Sequence, residues 1–485
     1  MKSAAIYITA ALSLFAASCS AVRECKAPEL NLPENIAGTE LDSMTVADLA
    51  WWEFYGDEKL CRIIERTLAN NRRIQAAAAR VEQAREMYRI GKANRLPNLS
   101  IGVPFNNETN DYYGGKPLRD PEFGIKATIS WELDFWGNLR WAKRKAGAEY
   151  VATLEDERAM RMTLVAEAAS AYFRLVALDN ELGIVRRTLV TRIEGMEKAR
   201  LRFEGGLTSE TVYQQAQVEY ASTAALIPNL ESNIETTENV LSLLMGEYPD
   251  WKVDRSSNLD DDDLPDNLPA GIPSELLKRR PDVRAAEQRL QSAMAGVGVA
   301  YADRFPRMVI TLTGGVEDEN LRTIFRSPFS YIAETITAPI FGFGRKKAKY
   351  RASIAAYDEA RLGYEQKVLE VFKEASDAVV TYRNARNAAT KKIELRDAAR
   401  KYDALVRLQY PSTIDYIDVL DAQRRYLDAQ IGLNNAIRDE HLALVQLYKV
   451  LGGGWQTQGE TAAAPGTQTK KTPVSESDAD GPKHN

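Results

Sequence analysis

The chain has 485 residues, too many for one ordinary domain, so either several domains or one very elongated body must absorb the length. Hydrophobic residues make up 45%, charged residues 27% and aromatics only 8%, an Ala-, Leu- and Val-rich balance that points to long helical assemblies. A formal net charge of −5 offers no basic field for a phosphate backbone, which argues against nucleic acid as a partner.

Residues 1–18 carry one Lys, an apolar run from Ala4 to Ala17 and small residues before Cys19, the pattern of a secretory signal peptide. The tract from Leu14 to Cys19 resembles a bacterial lipobox, with Ala16 where such motifs usually carry Leu. Cys19 is therefore the candidate lipidation site, with Cys25 second, and residues 19–56 read as a lipid-anchored extended segment. Cys25 and Cys61 alone make neither a metal site nor a disulfide framework, although a single Cys25–Cys61 bridge stays open. Beyond the signal no stretch of 18 apolar residues occurs, so the chain can cross a membrane only as strands.

Two structural repeats follow, 57–246 and 273–455, joined by a linker at 247–272 and trailed by a tail at 456–485 without periodicity, read as disordered. Arg80 aligns with Arg289, Ala93 with Ala302 and Pro97 with Pro306. Further on, Gly137 meets Gly344, Tyr150 meets Tyr357, Glu167 meets Glu374, and Ala216-Gln217 meets Ala422-Gln423. The linker holds the acidic run Asp260–Asp263 and several prolines and reads as a solvated surface connection.

Each repeat holds a pair of strands. In the first, Leu99, Ile101, Val103 and Phe105 alternate with other residues, and Phe123, Ile125, Ala127, Ile129 and Trp131 alternate with Gly124, Lys126, Thr128 and Ser130. The second offers Met308, Ile310 and Leu312, then a less regular strand over 329–338. The polar stretches 106–121 and 317–328 read as exposed loops. Alternation alone fits a sheet packed on helices in a soluble protein as well as a membrane barrel.

Very long helices come next. Gly137 to Phe203 contains no proline, and Ala168, Ala171, Leu175, Leu178, Leu182, Val185 and Leu189 step by three and four in the rhythm of a coiled-coil seam. Gly344 to Gln409 repeats this with Val368, Phe372, Ala375, Val379 and Tyr382. Gly205-Gly206 and Pro411-Ser412-Thr413 end the two helices. Return helices over 209–245 and 414–451 complete two antiparallel hairpins, with Pro228 kinking the first return.

If the strands enter lipid, they must close into a barrel. Four strands cannot, whereas three chains would supply twelve. The chain here resembles the outer membrane efflux proteins, the TolC-like factors, and within them the lipoprotein branch serving tripartite pumps. The resemblance runs from Trp51 to Trp455. It is carried by Trp131-Glu132-Leu133-Asp134-Phe135-Trp136-Gly137, Leu276-Leu277-Lys278-Arg279-Arg280-Pro281-Asp282-Val283, Pro339-Ile340-Phe341 with Gly344-Arg345, Asp418-Val419-Leu420-Asp421-Ala422-Gln423, and the ending from Tyr448 to Trp455. It implies a mainly α fold with a small membrane β part, in which long helical hairpins build a tunnel and each chain gives one third of a twelve-stranded barrel. The implied partners are two further copies, outer-membrane lipid, a periplasmic adaptor protein and an inner-membrane efflux transporter.

The resemblance also implies a periplasmic gate at Asp418 and Asp421, with Asp415 and Tyr416 one turn nearer the tip. Three copies of such acids would focus a negative field across a narrow aperture. Read without the resemblance, they are helix-start acids stabilised by the dipole. Pro411-Ser412-Thr413 departs from the glycine that the family carries near the tip.

The sequence has two histidines, His441 and His484, and no nucleophile elbow, phosphate loop or ligand cluster, so no enzyme, cofactor or resident metal is expected. Two other functions stand beside the efflux channel: a protein-secretion channel of the same fold, and a periplasmic coiled-coil scaffold lipoprotein that never inserts its strands.

Overall fold

A computed structural model describes residues 45–110, 118–249, 252–256, 273–338, 342–409 and 415–456, with residues 28, 30, 32–33 and 35–36. Cys19, Cys25, Asp260–Asp263, Pro411–Thr413, His484 and positions 457–485 lie outside the described residues.

Helices α1 (Trp51–Tyr55), α2 (Glu58–Asn70) and α3 (Arg72–Ala93) lead into strands β1 (Asn98–Gly102), β2 (Phe105–Asn110) and β3 (Leu118–Leu133). Then come α4 (Asn138–Glu204), α5 (Glu210–Ala224) and α6 (Leu226–Leu244). The second repeat supplies α7 (Pro273–Arg279), α8 (Pro281–Ala302), β4 (Arg307–Asp318), β5 (Pro328–Thr337), α9 (Arg345–Gln409) and α10 (Tyr416–Val450).

The strands form one antiparallel sheet in the order β1, β3, β4, β5, with β2 pairing the far half of β3. β1 and β2 act as a single strand interrupted at Pro104, which has no N–H to give the ladder. The expected loop 106–121 is corrected here, because Asn106–Asn110 pair with Leu118–Glu122 as a hairpin extension. Alternation vanishes over these polar residues while the backbone ladder continues, so pattern alone missed them. The extended reading of 19–56 is also corrected in its described part, since Val46–Asp48 form a 3-10 turn and α1 is helical.

The sheet turns its greasy side outward. Leu99, Ile129, Leu312 and Ile332 are successive cross-strand partners and are 65%, 41%, 43% and 71% exposed. The neighbouring row is polar: the Thr128 and Thr313 hydroxyls lie 3.2 Å apart, and Thr313 is buried. A sheet packed on helices in water would bury the first row and expose the second. The soluble-sheet alternative therefore fails, and the eleven-residue ladder from Phe123–Asp318 to Leu133–Met308 has the length of a transmembrane strand. Among the described residues no helix is long and apolar enough to cross a membrane.

Gly137 in the left-handed region (φ 78°) starts α4, and the Asp134 carboxylate accepts from the N–H groups of Leu139 and Arg140 at 3.0 and 2.8 Å. With 67 residues α4 reaches about 100 Å. Its first half packs on α3 and α8, its second on α5, α6 and α10, and α10 in turn lies along α9. At the α4–α8 crossing the Trp141 indole covers Gly298 so closely that a Cβ there would come within 2.3 Å of the ring. The return chain is broken into α5 and α6 at Ala225, three residues before Pro228, whose ring excludes the preceding turn's carbonyl.

Each repeat has its own core, and α10 serves both: Val445 and Tyr448 enter the first, Leu444, Leu447 and Val450 the second. The described part of the linker runs over the surface, with Tyr248, Lys252 and Asp254 exposed, and is pinned there at two residues. Val253 is buried, and Arg255 pairs with Asp179 and Glu238.

A latch recurs at equivalent positions just before α3 and α8. Asn71 Nδ2 donates to the Leu244 carbonyl (2.7 Å), and Arg280 donates to the Val450 carbonyl (3.2 Å), each satisfying the last turn of its return helix. Arg280 also holds Asp282 (2.7 Å) and Glu374 (2.8 Å), and Lys367 meets Asp282 at 2.9 Å. Burial alone would raise the Asp282 pKa, but the Arg280 hydrogen bonds and charge, with Lys367, outweigh it and bring it to about 2.

That value lies below the unfolded carboxylate pKa of about 3.9, so the latch contributes fully above about pH 4 and is lost as pH falls toward 2. Asp282→Asn is expected to lower stability at neutral pH and to flatten its decline between those limits, followed by thermal unfolding in detergent; an unchanged acid slope would place the titrating group elsewhere. Gly298→Ala is expected to destabilise the fold by about 1–3 kcal/mol through overpacking against Trp141, read by the same unfolding measurement.

Candidate functional site at the hairpin tips

The four residues expected at the gate fall at the start of α10. Asp415 is its N-cap residue (φ −73°, ψ 152°), and its carbonyl accepts from the Asp418 N–H at 3.1 Å. Asp415 and Asp418 are exposed, and neither carboxylate is paired with a cation among the described residues.

Asp421 differs. Its carboxylate accepts from Arg425 at 2.6 Å and Arg424 at 2.7 Å, one turn further along the same helix. Those hydrogen bonds hold its pKa below the usual carboxylate range. The group stays ionised, yet two guanidinium groups offset its field. Of the two acids singled out by the family motif, Asp418 alone presents an unshared negative charge.

Tyr416 is a packing residue. It lies against Val406 of α9 with Val419 and Ala422, a small third core at the tip, and a side chain at Gly195 of α4 would come within 3.1 Å of its hydroxyl. The missing Cβ lets α10 approach α4 closely here.

A charged lock beside this contact, within one turn of Gly195 along α4, had no place in the sequence-based expectation. Arg192 of α4, 3% exposed, donates through Nη1 to Gln423 of α10 (2.8 Å), and its Nη2 lies 3.1 Å from Glu219 of α5. Burial pulls its pKa down, and Glu219 acts in the opposite direction. Its Nε has no aligned acceptor among the described residues. Arg192 thus ties the first hairpin to the second with part of its hydrogen-bonding capacity unused. The signal was present in the seam, where the step of three after Leu189 lands on Arg192, a charged residue at a core position.

Between α4 and α9, with α10 as its floor, runs a polar groove of about 510 Å³ lined in part by Arg187, Arg396 and Arg400. His441 faces Phe173 with ring centroids 5.0 Å apart, and its Nδ1 lies 2.9 Å from the Ile437 carbonyl, the environment of an ordinary helix residue. Among the described residues no group of three or more His, Cys, Asp or Glu side chains is placed to hold a metal ion.

The sequence model described as outer membrane efflux protein matches residues 63–247 and 272–453. The chain belongs to that family. The solvent efflux pump outer membrane protein SrpC of Pseudomonas putida is 31% identical over 411 residues, covering 83% of this chain and 87% of SrpC. The probable outer membrane lipoprotein SilC of Salmonella typhimurium is 30% identical, with 91% and 97% covered. The crystal structure of the open state of the Neisseria gonorrhoeae MtrE outer membrane channel superposes with a TM-score of 0.81 at 26% identity, covering 89% of this chain and 97% of that one. This protein is accordingly an outer-membrane channel component of an efflux system, with the TolC-like fold. Its relatives are efflux channel proteins, not enzymes.

Arg192→Met keeps bulk while removing the lock. It is expected to increase single-channel conductance several-fold without loss of folded protein; a conductance equal to wild type would mean that the Arg192 contacts do not restrain the tip.

Proposed function

We propose that three copies of the chain close a twelve-stranded barrel and a helical tunnel, forming a passive conduit for small molecules delivered by an inner-membrane transporter through a periplasmic adaptor. The observation that carries this is the outward apolar row Leu99–Ile129–Leu312–Ile332, on a sheet whose edges, β1 with β2 and β5, have no further strand beside them among the described residues. Backbone groups on such edges must be paired in lipid, and neighbouring copies supply the pairing.

Asp415 and Asp418 ring the tip aperture in this reading, and Asp421, held by Arg424 and Arg425, stiffens the first turns of α10. Tyr416 and Arg192 hold the aperture closed at rest. The groove between α4 and α9 offers an adaptor its docking surface. Cys19 carries the lipid, a reading supported by its lipobox-like setting and by SilC, described as a probable lipoprotein.

Protein purified from outer membranes is expected to be a trimer in mild detergent and to give a small cation-selective conductance in planar bilayers. Asp418→Ala is expected to remove most of that selectivity, and adding Asp421→Ala to change it little further. Selectivity unchanged in the double variant would exclude the acids as the gate, and a monomer without conductance would favour the scaffold alternative.

A further inference from the structure

Both long helices carry cations in their opening turns, where the dipole disfavours them, although Asp134 caps α4 and pairs with Arg140 at 3.4 Å. A helix N-terminus attracts acids and repels cations, yet neither α4 nor α9 has an acidic residue in its first turn. Each opens instead on a basic run. Arg140 and Arg144 in α4 stand at positions equivalent to Lys347 and Arg351 in α9, counted from the matched Gly137 and Gly344. The ends of α3 and α8 reach the same level, bringing Lys92, Arg95, Arg304 and Arg307.

Intramolecular pairing accounts for only part of this charge. Asp303, the buried acid of the region, is shared by Arg307, Lys346 and Lys349. Arg144 stacks on Trp141, and Arg304 lies over the Tyr301 and Tyr350 rings. No carboxylate of the described residues pairs with Lys92, Arg95, Lys145, Arg345, Lys347 or Arg351. Deeper in the same helices arginines are regularly matched, as Arg161 is with Glu157 and Arg361 with Glu365.

The level of this collar is fixed by aromatic residues. Trp131 ends the outward apolar alternation of β3, and its indole N–H donates to the Arg95 carbonyl at 3.1 Å, which sets Arg95 beside the lipid-facing side. Phe135 is exposed, and Phe343, in the left-handed region at φ 46°, is 93% exposed at the start of α9. Aromatic side chains at the end of membrane strands mark the headgroup level.

We propose that this collar binds the phosphates of anionic phospholipids in the leaflet facing the periplasm, seating the channel at a defined depth. The proposal rests on the membrane-channel reading. Unpaired cations immediately outside a hydrocarbon span meet the negative surface of that leaflet, and duplication places one such cluster under each half of the sheet.

The test uses full-length protein and co-flotation with vesicles of phosphatidylcholine alone or with phosphatidylglycerol added, at low and high salt. Wild type is expected to favour the anionic vesicles by at least about tenfold at low salt, a preference that fades as salt rises. A variant with Arg95→Gln, Lys347→Gln and Arg351→Gln, matched to wild type in detergent mass and thermal unfolding, is expected to lose most of that preference while keeping its uptake into neutral vesicles. Equal partition of wild type, or a preference retained by the variant, would overturn the collar while leaving the channel reading intact. A variant that changes ion selectivity with lipid preference intact would instead place these cations in the lumen and also overturn it. Failure of wild type to enter either vesicle would overturn the channel reading and the collar with it.

Discussion

An antiparallel sheet of four strands leaves a row of backbone N–H and C=O groups along each of its two edges. In water those groups are hydrated at little cost. In hydrocarbon each costs several kcal/mol unless paired, so a sheet with its apolar row facing outward cannot remain open. Much of the chain can be understood as what this closure requires. Helices must bring copies into register, a polar row must line the enclosed space, and whatever continues that space must be a wall of helices and not a packed globule.

Duplication meets part of that requirement economically. Each repeat contributes a strand pair and a helical hairpin, and each ties the end of its return helix to the start of its repeat through a side chain immediately before the first long segment, Asn71 in one case and Arg280 in the other. The two latches are not chemically alike. Asn71 makes one neutral hydrogen bond, whereas Arg280 gathers Asp282, Glu374 and Lys367 into a buried ionic network. The second latch is therefore sensitive to acid and the first is not. Helix α10 then joins the halves by sending alternate faces into both cores.

At the tip the balance is different. Among the described residues a small cluster of Tyr416, Val406, Val419 and Ala422 packs there, and a half-satisfied buried arginine joins the hairpins beside it. Apolar packing is cohesive along α4 near Leu175 and Val185, and polar contacts join it toward the tip, at Arg192. A charge at a seam position is a poor way to maximise stability and a serviceable way to make an interface reversible.

The mainly helical class, the duplication, the two long hairpins and the positions of four strands were legible in the amino-acid order alone, because those features are written in local periodicity and in breakers such as Gly205-Gly206. So was the family, through motifs that need no coordinates. Facing and pairing needed the folded chain. Alternation in β3 is the same whether its greasy side meets a core or lipid, and only the exposed row from Leu99 to Ile332 settled the direction. Asp418 and Asp421 look equivalent in the motif, yet Arg424 and Arg425 cover one of them. The stretch from Asn106 reads as loop because its polarity hides a ladder whose hydrogen bonds depend on backbone register and not on side chains. Arg192 is legible as an anomaly in the heptad rhythm, but its partners, Gln423 and Glu219, lie on other helices, and only the folded chain brings them together.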